Sequence, residues 1–230
     1  MLSSYLLSVL LAASAPSSAA TAGPASVGAA STALTAQFRR FGLADGLPSS
    51  AINAVAQDAQ GYLWFGGTGG LSRYDGVEFK SYVHQPDRPD SLGGSFIDQL
   101  VAAPDGRLWI GTGDNGLDRL DPHSGRFEHW RHDPANPASL SGDVVYALAL
   151  AADGTLWIGT EHGLDRLSAD GRRLTHEAFP QPPGSDPALH SGKVSALLAE
   201  ADGSVWIGTY AGALARRRPD GSLQPIALTG

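Results

Sequence analysis

The 230-residue chain has 17% charged residues, 29 glycines, 15 prolines and a formal charge of −7. Many turns and few charges suit an all-β protein of short strands. The acidic balance argues against a nucleic-acid partner, and the lack of cysteine excludes disulfides, thiolate catalysis and Cys-ligated zinc.

No Asp, Glu, Lys or Arg occurs in residues 1–36. Leu6–Ala13 is an apolar run shorter than the roughly 20 residues that span a bilayer as a helix. Small residues follow it (Ala13-Ser14-Ala15, Ser18-Ala19-Ala20, Ala20-Thr21-Ala22). An apolar core followed by a small-residue cleavage site has the shape of a secretory signal peptide, although no Lys or Arg precedes it. Residues 1–22 are therefore expected to be a signal peptide, and the Gly/Ala/Ser/Thr-rich residues 23–36 a disordered linker. That expectation places the rest of the chain in the periplasm.

The remainder repeats itself. Trp64, Trp109, Trp157 and Trp206 are separated by 45, 48 and 49 residues. Each sits in a related run: Leu63-Trp64-Phe65-Gly66, Leu108-Trp109-Ile110-Gly111, Leu156-Trp157-Ile158-Gly159 and Val205-Trp206-Ile207-Gly208. A turn precedes each run, at Gln60-Gly61, Asp105-Gly106, Asp153-Gly154 and Asp202-Gly203. Asp-Gly before an apolar run is a hairpin signal, because both residues tolerate positive φ.

Four strands are predicted per unit. An apolar strand such as Val144–Leu150 leads through the turn to the Trp strand. A Gly-containing loop then leads to a third strand such as Gly163–Leu167. A second turn leads to a more polar fourth strand such as Arg126–Trp130. A period of this length with four strands fits a β-propeller, with blades over 47–83, 91–131, 139–179 and 188–228. The tryptophans are expected to pack between blades as structural markers, and the glycine after Trp-Ile to let a neighbouring blade's Trp approach. The Phe38–Phe41 pair repeats the spacing of Phe79–Tyr82 and Phe127–Trp130, so residues 37–42 are expected to form a lone outer strand. Arg216-Arg217-Arg218 reads as a solvated strand end.

Residues 46–66, Gly-Leu-Pro-Ser-Ser-Ala-Ile-Asn-Ala-Val-Ala-Gln-Asp-Ala-Gln-Gly-Tyr-Leu-Trp-Phe-Gly, resemble the two-component regulator propeller repeat. So do residues 139–160 and the Gly-Leu-Asp-Arg-Leu runs at 116–120 and 163–167. The resemblance covers about residues 37–228. It implies a periplasmic sensor module of seven-bladed or larger propellers, of which this chain holds four repeats. It also implies a further propeller, a membrane segment and an output domain, a hybrid histidine kinase or diguanylate cyclase, none of which has a motif here. The ligands it implies are small molecules, often carbohydrates, and no cofactor is expected.

Two sets of loops are expected to ring one face. The fourth-to-first-strand loops are His84–Ser95, His132–Asp143 and Pro180–Lys193. The second-to-third-strand loops vary within a constant frame, which is what ligand-reading positions show. They supply the candidate site Asp114, Asn115, Glu161, His162 and Tyr210. Gly66–Gly70 lacks the helix or Gly-Lys-Ser/Thr of a phosphate loop. His123, His129 and His132 fall on a turn, a strand and a loop, which suits local hydrogen bonding better than zinc. Asp58 and Asp105 lack the spacing of a calcium loop.

The expected function is extracytoplasmic ligand sensing without catalysis in this chain. Two alternatives stand beside it. One is a propeller enzyme, either a lyase or a glycan-active protein, since similar repeats occur in lyases acting on cyclic antibiotics. The other is a non-functional truncated fragment with an exposed blade edge.

Overall fold

The computed structural model describes residues 38–177 and 192–226. The expected signal peptide, the linker and most of the third long loop lie outside the described residues. So do residues 227–228. Within the described residues, no helix is long and apolar enough to cross a membrane.

Four antiparallel sheets are built from consecutive strands. The first holds β1 (Ile52–Gln57), β2 (Leu63–Gly67), β3 (Gly70–Tyr74) and β4 (Phe79–Tyr82). The second holds β5 (Ile97–Ala102), β6 (Leu108–Thr112), β7 (Leu117–Asp121) and β8 (Arg126–Trp130). The third holds β9 (Val145–Leu150), β10 (Leu156–Thr160), β11 (Leu164–Leu167) and β12 (Leu174–Glu177). The fourth holds β13 (Val194–Ala199), β14 (Val205–Thr209), β15 (Leu214–Arg217) and β16 (Leu223–Ile226).

Turn chemistry closes the first hairpins. Gly106, Gly154 and Gly203 have φ of 85°, 82° and 84°, which the Asp-Gly pairs supply without strain. The preceding carboxylates of Asp105, Asp153 and Asp202 each accept a backbone N–H two residues on. β6 and β10 are buried at every position, as strands covered on both faces must be. β8 mixes buried, partly buried and exposed positions.

The sheets pack face to face through their inner strands, β1 on β5, β5 on β9 and β9 on β13. The tryptophans of the first three blades each lie under the following blade. Trp64 clusters with Ile97, Leu100, Leu108 and Ile110. Trp109 clusters with Val145, Leu148 and Ile158. Trp157 clusters with Val194, Val205 and Ile207.

The glycine after the Trp-Ile pair has a different neighbour from the one expected. A Cβ on Gly111 would stand 2.7 Å from Val145 Cγ1, and one on Gly159 would stand 2.8 Å from Val194 Cγ1. The side chain that needs the space is the first β-branched residue of the next inner strand, not a tryptophan.

Two further expectations change. Residues 38–42 join no sheet, and Leu43–Asp45 form a 3₁₀ turn. Phe41 instead lays its ring against Phe79 and Tyr74, with centroids at 5.3 and 5.1 Å. Its aromatic spacing therefore reflects packing on the first blade rather than strand pairing. The arginine trio is solvated only at Arg218. Arg216 pairs with Glu200 and Asp202 and lies over Trp206, while Arg217 pairs with Glu177 and lies over Trp157. Stacking on indole rings, within the blade for Arg216 and on the preceding blade for Arg217, helps hold these two cations.

Candidate functional site at the rim of the inner strands

Every inner strand opens with the same irregularity. Its register against the Trp strand shifts between Ile52 and Ala54, Ile97 and Gln99, Val145 and Ala147, and Val194 and Ala196. One residue is left over in each blade: Asn53, Asp98, Tyr146 and Ser195. A bulge of this kind re-aims a side chain at the end of a strand. Here it sets an amide, a carboxylate, a phenol and a hydroxyl at the same level of four successive blades.

These side chains join the neighbouring loops in two groups. Asn53 Nδ2 donates to Ile97 O at 3.1 Å and to Asp98 Oδ1 at 3.4 Å. Burial, and then the nearby Asp114 carboxylate, raise the Asp98 pKa above the ordinary carboxylate value. In the second group, Lys193 Nζ lies 4.9 Å from the Tyr146 ring centroid and 5.1 Å from that of Tyr210. Hydrogen bonding to Tyr146 raises the Lys193 pKa, with smaller contributions from Tyr210 and Glu161. Tyr210 is 77% exposed, so one ring face remains open to solvent.

The five residues singled out in the sequence divide between these groups and other tasks. Asp114 faces Asp98. Glu161 and Tyr210 meet around Lys193. Glu161 also accepts the backbone N–H groups of Asp143 and Val144 at 3.1 and 2.8 Å, so much of its role is to hold the incoming loop. Asn115 closes its turn by donating its backbone N–H to Thr112 Oγ1. His162 lines a separate cleft of about 240 Å³, shared with His132, Asp133 and His176.

Asn53, Asp98, Tyr146, Lys193 and Ser195 were not singled out. They vary within the same constant frame as the loop tips, immediately beside Ile52, Ile97, Val145 and Val194, and that variation was the available signal. The opposite ends of the inner strands differ sharply. There Ala102, Leu150, Leu197 and Ala199 line an apolar hollow of about 560 Å³.

The histidines set aside as zinc ligands are locally bonded. His129 Nδ1 meets Asp118 and His132 Nδ1 meets Leu140 O, each at 2.7 Å. Asp58 is likewise structural, since its carboxylate accepts the Trp64 indole N–H at 2.8 Å and the Gln60 and Tyr62 backbone N–H groups.

Four-stranded meandering sheets stacked through their first strands define a β-propeller. The family model for the two component regulator propeller matches residues 46–69, 91–114 and 139–162, which cover the first two strands of the first three blades. Each of the first three blades therefore carries a segment that matches that family's repeat. The extracellular domain of BT3049 from B. thetaiotaomicron, described as a hybrid two component system, is similar at a TM-score of 0.69 and 26% identity. That match covers 82% of this chain and 26% of the other. Histidine kinase P4 of Formosa agariphila is 38% identical over 55 residues, 24% of this chain and 4% of the kinase. Virginiamycin B lyase from Staphylococcus aureus shares the fold, with a TM-score of 0.62 and 16% identity over 80% of this chain and 58% of the lyase. The chain thus spans about a quarter of the similar extracellular domain and a small part of the kinase.

Proposed function

We propose that this chain is a ligand-sensing propeller module of a periplasmic signalling receptor, and that it binds a small polar ligand, an oligosaccharide, at the rim of the inner strands. The observation that carries this reading is the Tyr146–Lys193–Tyr210 group beside Glu161. An open aromatic face next to charged hydrogen-bonding groups suits a sugar, whose C–H face stacks while its hydroxyls find partners. Asp98, Asp114 and Asn53 supply acceptors and a donor at the same level. The similar extracellular domain of a hybrid two component system supports a signalling role, with kinase or cyclase output carried by other domains. The apolar run at Leu6–Ala13, with its small-residue sequel, supports export.

Titration calorimetry with malto-, cello- and xylo-oligosaccharides tests the reading. Tyr210→Ala is expected to weaken binding about tenfold, equivalent to roughly 1.4 kcal/mol. His123→Ala, on an exposed turn, is expected to leave it unchanged. If none of the sugars gives heat at about 1 mM, or if Tyr210→Ala binds as tightly as the parent, the rim is not the site.

A further inference from the structure

Two blades carry the same arrangement, each built on a buried aspartate. In the second, Asp118 is fully buried in the third strand and its Oδ1 meets His129 Nδ1 at 2.7 Å. The opposite ring nitrogen, His129 Nε2, reaches Pro89 O at 2.8 Å. Asp118 Oδ2 accepts the Gly93 backbone N–H at 2.7 Å. The third blade repeats this position for position. Asp165, also fully buried, meets His176 Nδ1 at 2.7 Å, and His176 Nε2 reaches Pro137 O at 2.9 Å. Asp165 Oδ2 accepts the Ser141 backbone N–H at 2.8 Å. Pro89 and Gly93 belong to the loop entering the second blade, and Pro137 and Ser141 to the loop entering the third.

The chemistry of these contacts fixes the protonation they require. A carboxylate oxygen and a peptide carbonyl are both acceptors. An imidazole that satisfies both must donate from both nitrogens, so it must be the imidazolium cation. A neutral ring has one N–H and leaves one acceptor facing a lone pair.

We propose that the Asp118–His129 and Asp165–His176 pairs are proton-operated latches that hold loops His84–Ser95 and His132–Asp143 against their blades and release them as pH rises. The surrounding groups are consistent with this. Hydrogen bonding to Asp118 raises the His129 pKa above its ordinary 6.5, against burial and the Arg131 guanidinium. Hydrogen bonding to Asp165 does the same for His176, against burial alone. Arg131 donates to Asp118 at 2.8 Å. On the loop facing His129, Arg88 and Asp90 pair with each other, and Asp90 also pairs with Arg126. Around His176 stand Glu177, which pairs with Arg217, and His132, Asp133 and His162 across the cleft. A histidine raised in the folded state contributes its stability fully below its unfolded value and loses it as pH rises through the folded one. The latch is therefore closed in mild acid and opens as pH climbs past the ordinary 6.5 and through the raised folded value.

The first blade provides a built-in control. Ser72 and Ser81 occupy the equivalent positions, 3.1 Å apart, and Ser81 Oγ donates to Gly46 O at 2.9 Å. This pair also ties a loop carbonyl to its blade, though at a different loop position and with no backbone N–H bound to Ser72, and it holds no titrating group. In the fourth blade the positions hold Ala215 and Pro225, which offer neither.

Amide exchange of the full chain, corrected for intrinsic rates, tests the proposal together with an NMR titration of the imidazoles. Between about pH 5.5 and 8.5, protection of the Gly93 and Ser141 amides is expected to fall about fivefold. The Leu47 amide, in the serine-latched loop, is expected to hold steady. In a His129→Gln/His176→Gln variant the pH dependence at Gly93 and Ser141 should vanish. Three results would overturn the proposal: imidazoles titrating at or below the ordinary 6.5, equal shifts at Leu47 and at the two latched amides, or a variant that keeps the parental pH response. The wild-type titration and the Leu47 comparison decide the matter even if the variant does not fold.

Discussion

Asp98 holds a carboxylate where the fold penalises its charge. Burial and Asp114 both raise its pKa. An acid whose pKa is raised on folding binds protons more tightly when folded, so the folded state loses stability as pH climbs past the ordinary value of 3.8. Asp98→Asn removes the charge and leaves an amide beside Asn53. At neutral pH the substitution is expected to raise the melting temperature by about 1–3 °C, and the gain should shrink as the pH falls toward 4. Thermal melts of parent and variant at several pH values check this. The arginines illustrate a second residue-scale rule. Arg73, Arg119, Arg166 and Arg216 face Trp64, Trp109, Trp157 and Trp206 across the second and third strands. Their guanidinium carbons lie 5.0 to 5.9 Å from the rings. Reading Arg216 as part of a charge run missed this, because the indole that holds it lies ten residues upstream and one strand over.

At the scale of the strand, close packing between blades sets the tolerances. Gly111→Ala would drive its methyl into Val145 and is expected to cost about 1–3 kcal/mol in denaturant unfolding. Gly42→Ala, with nothing within 4 Å of the added carbon, should be near neutral. The strands and hairpins were legible because their signals are local: Asp-Gly turns, apolar runs and a regular tryptophan period. The bulges were not, because a bulge is a property of the register between two strands, and no single run of residues announces it. The latches were harder still. His129 and Pro89 are 40 positions apart in the chain, and His176 and Pro137 are 39 apart. The fold places the candidate residues chosen from loop variation in different surroundings for the same reason. Asp114, Glu161 and Tyr210 reached the rim groups, whereas Asn115 and His162 took on turn and cleft roles that only the three-dimensional contacts assign.

For the molecule as a whole, the two outer faces of the stack differ from every internal one. Trp157 is 3% exposed beneath the fourth blade, while Trp206 is only partly buried and Leu198 beside it is 60% exposed. At the other end Val55 of the first inner strand is 59% exposed. Among the described residues, no packing of the extent seen between neighbouring blades joins β13 to β1. Trp157→Ala is accordingly expected to cost about 3–5 kcal/mol in urea unfolding, as deletion of a buried indole does, and Trp206→Ala less than half as much. Equal losses would mean that Trp206 is covered in solution.

The order of the tryptophans also gives the stack a direction. Each of the first three blades lends its indole forward and receives none back, so the two ends are not interchangeable. Deleting the fourth blade would strip the cover from Trp157. Deleting the first would leave every remaining indole as it was and bare Ile97, Leu100 and the Phe127 ring that Tyr82 meets. Blades arranged this way form a vectorial series, in which a blade added at one end meets a waiting ring and a blade added at the other must bring its own.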